Sequence, residues 1–90
     1  MSILVSNLRL YNNANMKAFA DVTVNGVTLR DCRVVQQNGQ RAYASFPVLE
    51  WENAAKQKCR KTMVECDSAL KAQIMEAVME AYSQKVAEVQ

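Results

Sequence analysis

The sequence predicts an α+β domain: an antiparallel sheet of four or five strands, arranged as a meander of hairpins and packed by one long C-terminal helix. Three observations predict it. Two alternating segments meet at Asn25-Gly26, the dipeptide a two-residue type I′ turn favours because both central residues need positive φ. Apolar residues recur every four positions at Leu70, Ile74, Val78, Tyr82 and Val86, the period of one face of an α-helix. Only three of the 90 residues are Gly or Pro, and half are apolar. That composition belongs to a single folded domain over residues 1–90, not to a linker or a disordered tail.

Ile3 to Tyr11 reads as a first strand of imperfect alternation, with Ile3, Val5 and the polar Asn7 on one side and Leu4, Leu8 and Leu10 on the other. Asn12-Asn13-Ala14-Asn15 is turn chemistry, because Asn tolerates left-handed backbone and bonds its own loop. Met16 to Val35 then forms the organising hairpin. A two-residue loop at Asn25-Gly26 predicts the opposed pairs Val24/Val27, Val22/Leu29, Ala20/Asp31, Ala18/Arg33 and Met16/Val35 on one face. The other face would carry Thr23/Thr28, Asp21/Arg30, Phe19/Cys32 and Lys17/Val34.

Gln36 to Gln40 is a second polar turn, and Arg41 to Phe46 a fourth strand with Ala42, Ala44 and Phe46 on one side. Pro47 ends it, since proline donates no ladder hydrogen bond. In residues 48–58, Trp51, Ala54, Ala55 and Lys58 fall at helical spacing, with Glu50 and Glu52 early and lysines late. A short helix and an ordered loop both fit there. Arg60 to Cys66 is expected to be a short fifth strand centred on Met63 and Val64. The final helix begins at Asp67 or Ser68 as N-cap, with Met75, Met79 and Val89 widening its apolar stripe. One helix covers one face of such a sheet. The face carrying Phe19, Cys32 and Val34 is therefore expected to be partly wet or paired with a second copy.

Composition excludes several classes. With no histidine, and with Cys32, Cys59 and Cys66 lacking any C-x-x-C spacing, neither a zinc site nor a disulfide framework is expected. Nor does any acid, base or nucleophile assemble, so the expectation is a non-enzyme without cofactor or small-molecule substrate. Ile3-Leu4-Val5 is too short for a signal segment and no apolar run spans a membrane. The expected location is cytoplasmic.

The net charge of +2 is uneven. Residues 1–66 hold nine Lys or Arg against five acids, and residues 67–90 hold two against four. Lys56, Lys58, Arg60 and Lys61 form the densest basic cluster.

Several segments together resemble the stage V sporulation protein G (SpoVG, septation protein) family. They are Leu8-Arg9-Leu10, Met16 to Thr23, Leu29 to Val35 followed by Asn38-Gly39, Phe46-Pro47, and Ala77 to Tyr82. The resemblance spans nearly the whole chain in order. It implies a small α+β homodimer, a bacterial cytosolic regulator that binds DNA and, in some members, RNA. Two departures stand out: Phe46-Pro47 runs into Val48-Leu49-Glu50 where relatives place a serine and a basic pair, and the proline that often precedes the last helix is replaced by Val64-Glu65-Cys66.

With that resemblance in hand, Lys56, Lys58, Arg60 and Lys61, helped by Arg33, are the candidate phosphate contacts, since Lys and Arg neutralise phosphates and release counterions. A solvated connector is the competing reading of the same cluster. Phe19, Asp31, Cys32, Arg33 and Val34 are the candidate dimer interface. Trp51 reads as a core or interface anchor ahead of a base-stacking residue. The alternative function is a dimeric protein-interaction or structural module that keeps the fold and has no nucleic-acid binding.

Overall fold

A computed structural model of the chain describes residues 2–11, 13 and 15–89. Asn25 and Gly26 take φ of 51° and 77°, the pair of left-handed residues a type I′ turn needs. They join β2 (Met16–Val24) to β3 (Val27–Val35). With β1 (Ile3–Leu10) and β4 (Tyr43–Ser45) these strands make an antiparallel sheet in the order β1-β2-β3-β4. Of the first predicted turn, Asn12 and Ala14 lie outside the described residues. The architecture is α+β, as the sequence predicts.

Helix α1 (Ser68–Val89) starts where expected: the Asp67 carboxylate accepts a hydrogen bond from the Leu70 backbone N–H at 2.7 Å, the geometry of an N-cap. Ile74 and Val78 are buried against Ala18, Val22, Val24, Cys32, Val34 and Phe46, with Leu70, Met75, Met79 and Tyr82 packed around them. Val89, at the far end of the predicted stripe, is exposed.

The hairpin register departs from the simple ladder at one level. Val22 pairs Leu29 and Ala20 pairs Cys32, so Arg30 and Asp31 together face the single residue Asp21. On the other flank Ser6 pairs Asp21 and Arg9 pairs Phe19, so Asn7 and Leu8 face Ala20 alone. Both neighbours of β2 are therefore bulged side by side. Asn7 and Asp31, at φ 52° and 61°, are the left-handed residues of these bulges, a conformation Asn and Asp tolerate better than most side chains.

Asp21 holds the two bulges together. It is 2% exposed, and its carboxylate accepts from the Asn7 amide at 3.2 Å, the Arg30 guanidinium at 3.0 Å and the Asp31 backbone N–H at 3.2 Å. The Asp31 N–H is the largest influence, and with Asn7 and Arg30 it lowers the carboxyl below its ordinary 3.8 although burial acts the other way.

Each bulge adds a residue and so inverts which side chains face the core. The expected pairs Ala20/Asp31, Ala18/Arg33, Phe19/Cys32 and Lys17/Val34 are replaced by Ala20/Cys32, Ala18/Val34 and Phe19/Arg33. A further shift at Lys17 restores Met16 opposite Val35. In β1 the same inversion puts Ile3 and Val5 on one face with Leu10, the partner of Ala18. The imperfect alternation of the sequence is this bulge.

The segment from residue 48 is neither helix nor loop. Among the described residues β5 (Val48–Glu52) and β6 (Lys58–Thr62) pair only with each other. The expected strand over Arg60 to Cys66 thus lies earlier and outside the main sheet; Met63 is exposed and Val64 packs on the core.

Candidate nucleic-acid interface

The β5–β6 ribbon owes its turn to Asn53. The Asn53 side-chain oxygen accepts from the backbone N–H groups of Ala55 and Gln57 at 3.0 and 2.9 Å, while its carbonyl accepts from Lys56 N–H at 2.9 Å. Those bonds hold Lys56 at φ 62° at the tip of the ribbon. Register then sorts the other charges. Glu50 faces Arg60 and Glu52 faces Lys58 on one side; Leu49 faces Lys61 and Trp51 faces Cys59 on the other.

All four basic residues are exposed, but they are not one patch. Lys58 and Arg60 share their face with two glutamates, Lys61 lies on the opposite face, and Lys56 caps the end. Leu49 and Trp51 are 49% and 45% exposed, so Trp51 does not anchor the core of this chain. Among the described residues no backbone of β5 or β6 packs against β1 to β4 or α1; only the base of the ribbon, at Val48 and Thr62, lines a shared cleft with Tyr43, Phe46 and Lys71. At its base the Met63 N–H donates to the Pro47 carbonyl at 3.3 Å.

A second cluster of cations stands on the open face of the main sheet, away from α1. Arg9, Phe19, Arg33 and Ser45 lie in register across β1, β2, β3 and β4. The guanidinium carbons of Arg9 and Arg33 are 5.9 and 5.8 Å from the Phe19 ring centroid, and the Tyr11 ring meets Phe19 edge-on at 5.3 Å. These are cation–π and T-shaped contacts. Arg9 also bonds the Asp31 carboxylate at 2.9 Å. Among the described residues Arg33 makes no ion pair, and its buried Nε finds no acceptor.

The structure therefore separates the predicted contact residues. Lys56, Lys58, Arg60 and Lys61 belong to the ribbon, and Arg33 to the open sheet face. Of the five residues expected at a dimer interface, Phe19, Asp31 and Arg33 are on that open face. Cys32 and Val34 are buried beneath α1, so their side chains have no surface left for a partner; the bulge at Arg30-Asp31 turned them inward. Burial is also the main cause that pushes the Cys32 thiol up to about 11, with the Asp21 charge adding to it, which leaves it unreactive at neutral pH.

Sequence reasoning missed Arg9, Tyr11 and Tyr43 as members of one surface. Its available signal was the repeat of Asx-apolar-Arg at Asn7-Leu8-Arg9 and Asp31-Cys32-Arg33, each breaking strand alternation. Among the described residues no helix is long and apolar enough to cross a membrane. Compared with protein-family models, curated proteins and solved structures, the chain finds no significant match. Its class is thus the one its own fold defines: a helix-covered four-stranded sheet bearing a free two-stranded ribbon.

Proposed function

We propose that the protein is a small dimeric nucleic-acid-binding regulator of the SpoVG type, contacting DNA or RNA through the β5–β6 ribbon. The observation that carries this reading is a free-standing antiparallel ribbon with Lys56 at its tip and Lys58, Arg60 and Lys61 exposed along it. A two-stranded ribbon fits the major groove of B-form DNA, and lysines and arginines at its edges and tip reach the flanking phosphates. Glu50 and Glu52 reduce the positive charge of one face, which favours modest affinity with strong salt dependence over tight binding. In a homodimer the ribbon occurs twice, and a two-fold pair of ribbons matches two half-sites.

A second reading has its own observation. Leu49 and Trp51 form an exposed apolar strip on the ribbon face that carries Lys61, and Trp is enriched among residues that dominate protein interfaces. A homodimer or protein-interaction module would use that strip. Fluorescence anisotropy with mixed-sequence DNA and RNA across a salt series separates the two. The regulator reading expects binding at low salt, and a salt slope reduced by about one for each phosphate contact removed in Lys56→Ala and Arg60→Ala. Absence of binding at low salt, or binding indifferent to both substitutions, overturns it in favour of the interaction module.

A further inference from the structure

We propose that the open face of the four-stranded sheet is a separate nucleic-acid site that takes unpaired nucleotides, with bases on Tyr11 and Tyr43 and a phosphate on Arg33. It rests on the nucleic-acid reading above and assigns a different part of the molecule to a different form of the polymer.

The face has three properties that belong together. First, α1 lies on the other side of the sheet, and among the described residues no element covers this one. Second, its charge is positive: Arg9, Arg30 and Arg33 stand against Asp21 and Asp31. Arg30 is engaged by Asp21 and Arg9 by Asp31. Among the described residues Arg33 has no anionic partner. Third, the edge strands present aromatic rings. Tyr11 follows β1 and is 52% exposed; Tyr43, on β4, pairs Val35 and is 45% exposed. Ala44 packs on the core, so strand alternation turns Tyr43 to the open face.

Phe19 is the positioning residue. Its ring contacts both guanidinium groups and meets the Tyr11 ring edge-on, so the arginines and the tyrosine are held before any ligand arrives. Strands about 4.8 Å apart place Tyr11 and Tyr43 roughly three strand spacings from each other, room for about two or three stacked or splayed bases.

The geometry selects unpaired strands. A broad four-stranded face cannot enter a groove of a duplex, whereas exposed aromatic rings and guanidinium planes stack on base faces that only unpaired nucleotides offer. Charge also argues against a second copy as the occupant. Two such faces brought together would oppose unpaired Arg33 with a like-charged surface, while a polyanion neutralises it.

The test uses the full chain with two fluorescein-labelled probes, an oligothymidylate and a mixed-sequence duplex, titrated at two salt concentrations. Tyr11→Ala combined with Tyr43→Ala is expected to weaken oligothymidylate binding at least about tenfold and to leave duplex binding within twofold. Arg33→Gln is expected to reduce the oligothymidylate salt slope by about one. The ribbon variant Lys58→Ala with Arg60→Ala is expected to do the reverse, weakening the duplex more. Both tyrosines are exposed, so their replacement leaves the core intact; unchanged far-UV circular dichroism verifies it, and Arg33→Gln supplies an independent readout. Duplex binding without oligothymidylate binding, or oligothymidylate binding untouched by the tyrosine and arginine changes, overturns the sheet-face site and leaves the ribbon reading standing. Binding of neither probe overturns both. Tyrosine variants that shift a dimer to monomer in sedimentation without loss of oligothymidylate affinity assign the face to a second copy and overturn the site.

Discussion

The two sheets of this protein are built from similar alternating strands and end in opposite physical situations. The four-stranded sheet has a helix on one face, a buried carboxylate at its centre and strands that share partners. The β5–β6 ribbon has a single ladder, no covering layer among the described residues, and apolar side chains left in water. A lone hairpin is marginally stable in water because it buries too little surface to offset its ordering entropy. The buried core is thereby confined to the four-stranded sheet and its helix. The main sheet can carry a double bulge because its core stabilises it, while the ribbon has no such core to hold it.

The largest way to break this contrast is to empty the shared core. Ile74→Ala is expected to cost about 3 kcal/mol of global stability, read by chemical denaturation. Trp51→Ala, a larger truncation in the ribbon, is expected to change the same global value by less than about 0.5 kcal/mol. Comparable losses from both would mean that the ribbon is packed after all.

Next in size is the carboxylate between the bulges. Asp21→Ala strands the Asn7 amide and the Asp31 N–H, and is expected to cost about 2 kcal/mol. Its titration has a definite sign. Asp21 is held below its ordinary 3.8 in the folded chain, so the unfolded chain binds its proton more readily. The stabilisation is complete above the ordinary value and fades as the pH falls through the lowered one. Asp21→Asn should flatten that part of the stability profile below about pH 4; a profile parallel to that of the native protein would refute the role given to the carboxylate.

The smallest effect sharpens the ribbon itself. Lys56 holds a left-handed conformation without being glycine, at a cost of about 1 kcal/mol. Lys56→Gly is expected to slow amide hydrogen exchange in β5 and β6 several-fold while leaving β2 and β3 unchanged. Faster exchange in the ribbon would show that the Lys56 side chain contributes more than its backbone costs.

Much of this was legible in the residues. Asn25-Gly26 set the turn, the four-residue period over Leu70 to Val86 set the helix, and Asp67-Ser68 set its start to within one residue, because each signal is local and needs no distant partner. The ribbon was obscured since its turn contains neither Gly nor Pro. Asn53 supplies by side-chain bonding what glycine supplies by conformational freedom, and the helical spacing of Trp51, Ala54, Ala55 and Lys58 was a coincidence of two strands and a loop.

By itself the sequence determined the α+β class, the order of the main-sheet strands and the candidate cations. Only the tertiary structure decided which face each one occupies. Asp21 can stabilise two bulges only where β1 and β3 flank it at the same level, and those bulges turn Cys32 and Val34 inward and bring Arg33 beside Phe19. Face assignment depends on parity counted along a strand, and one residue inserted opposite a distant partner reverses that parity for everything that follows.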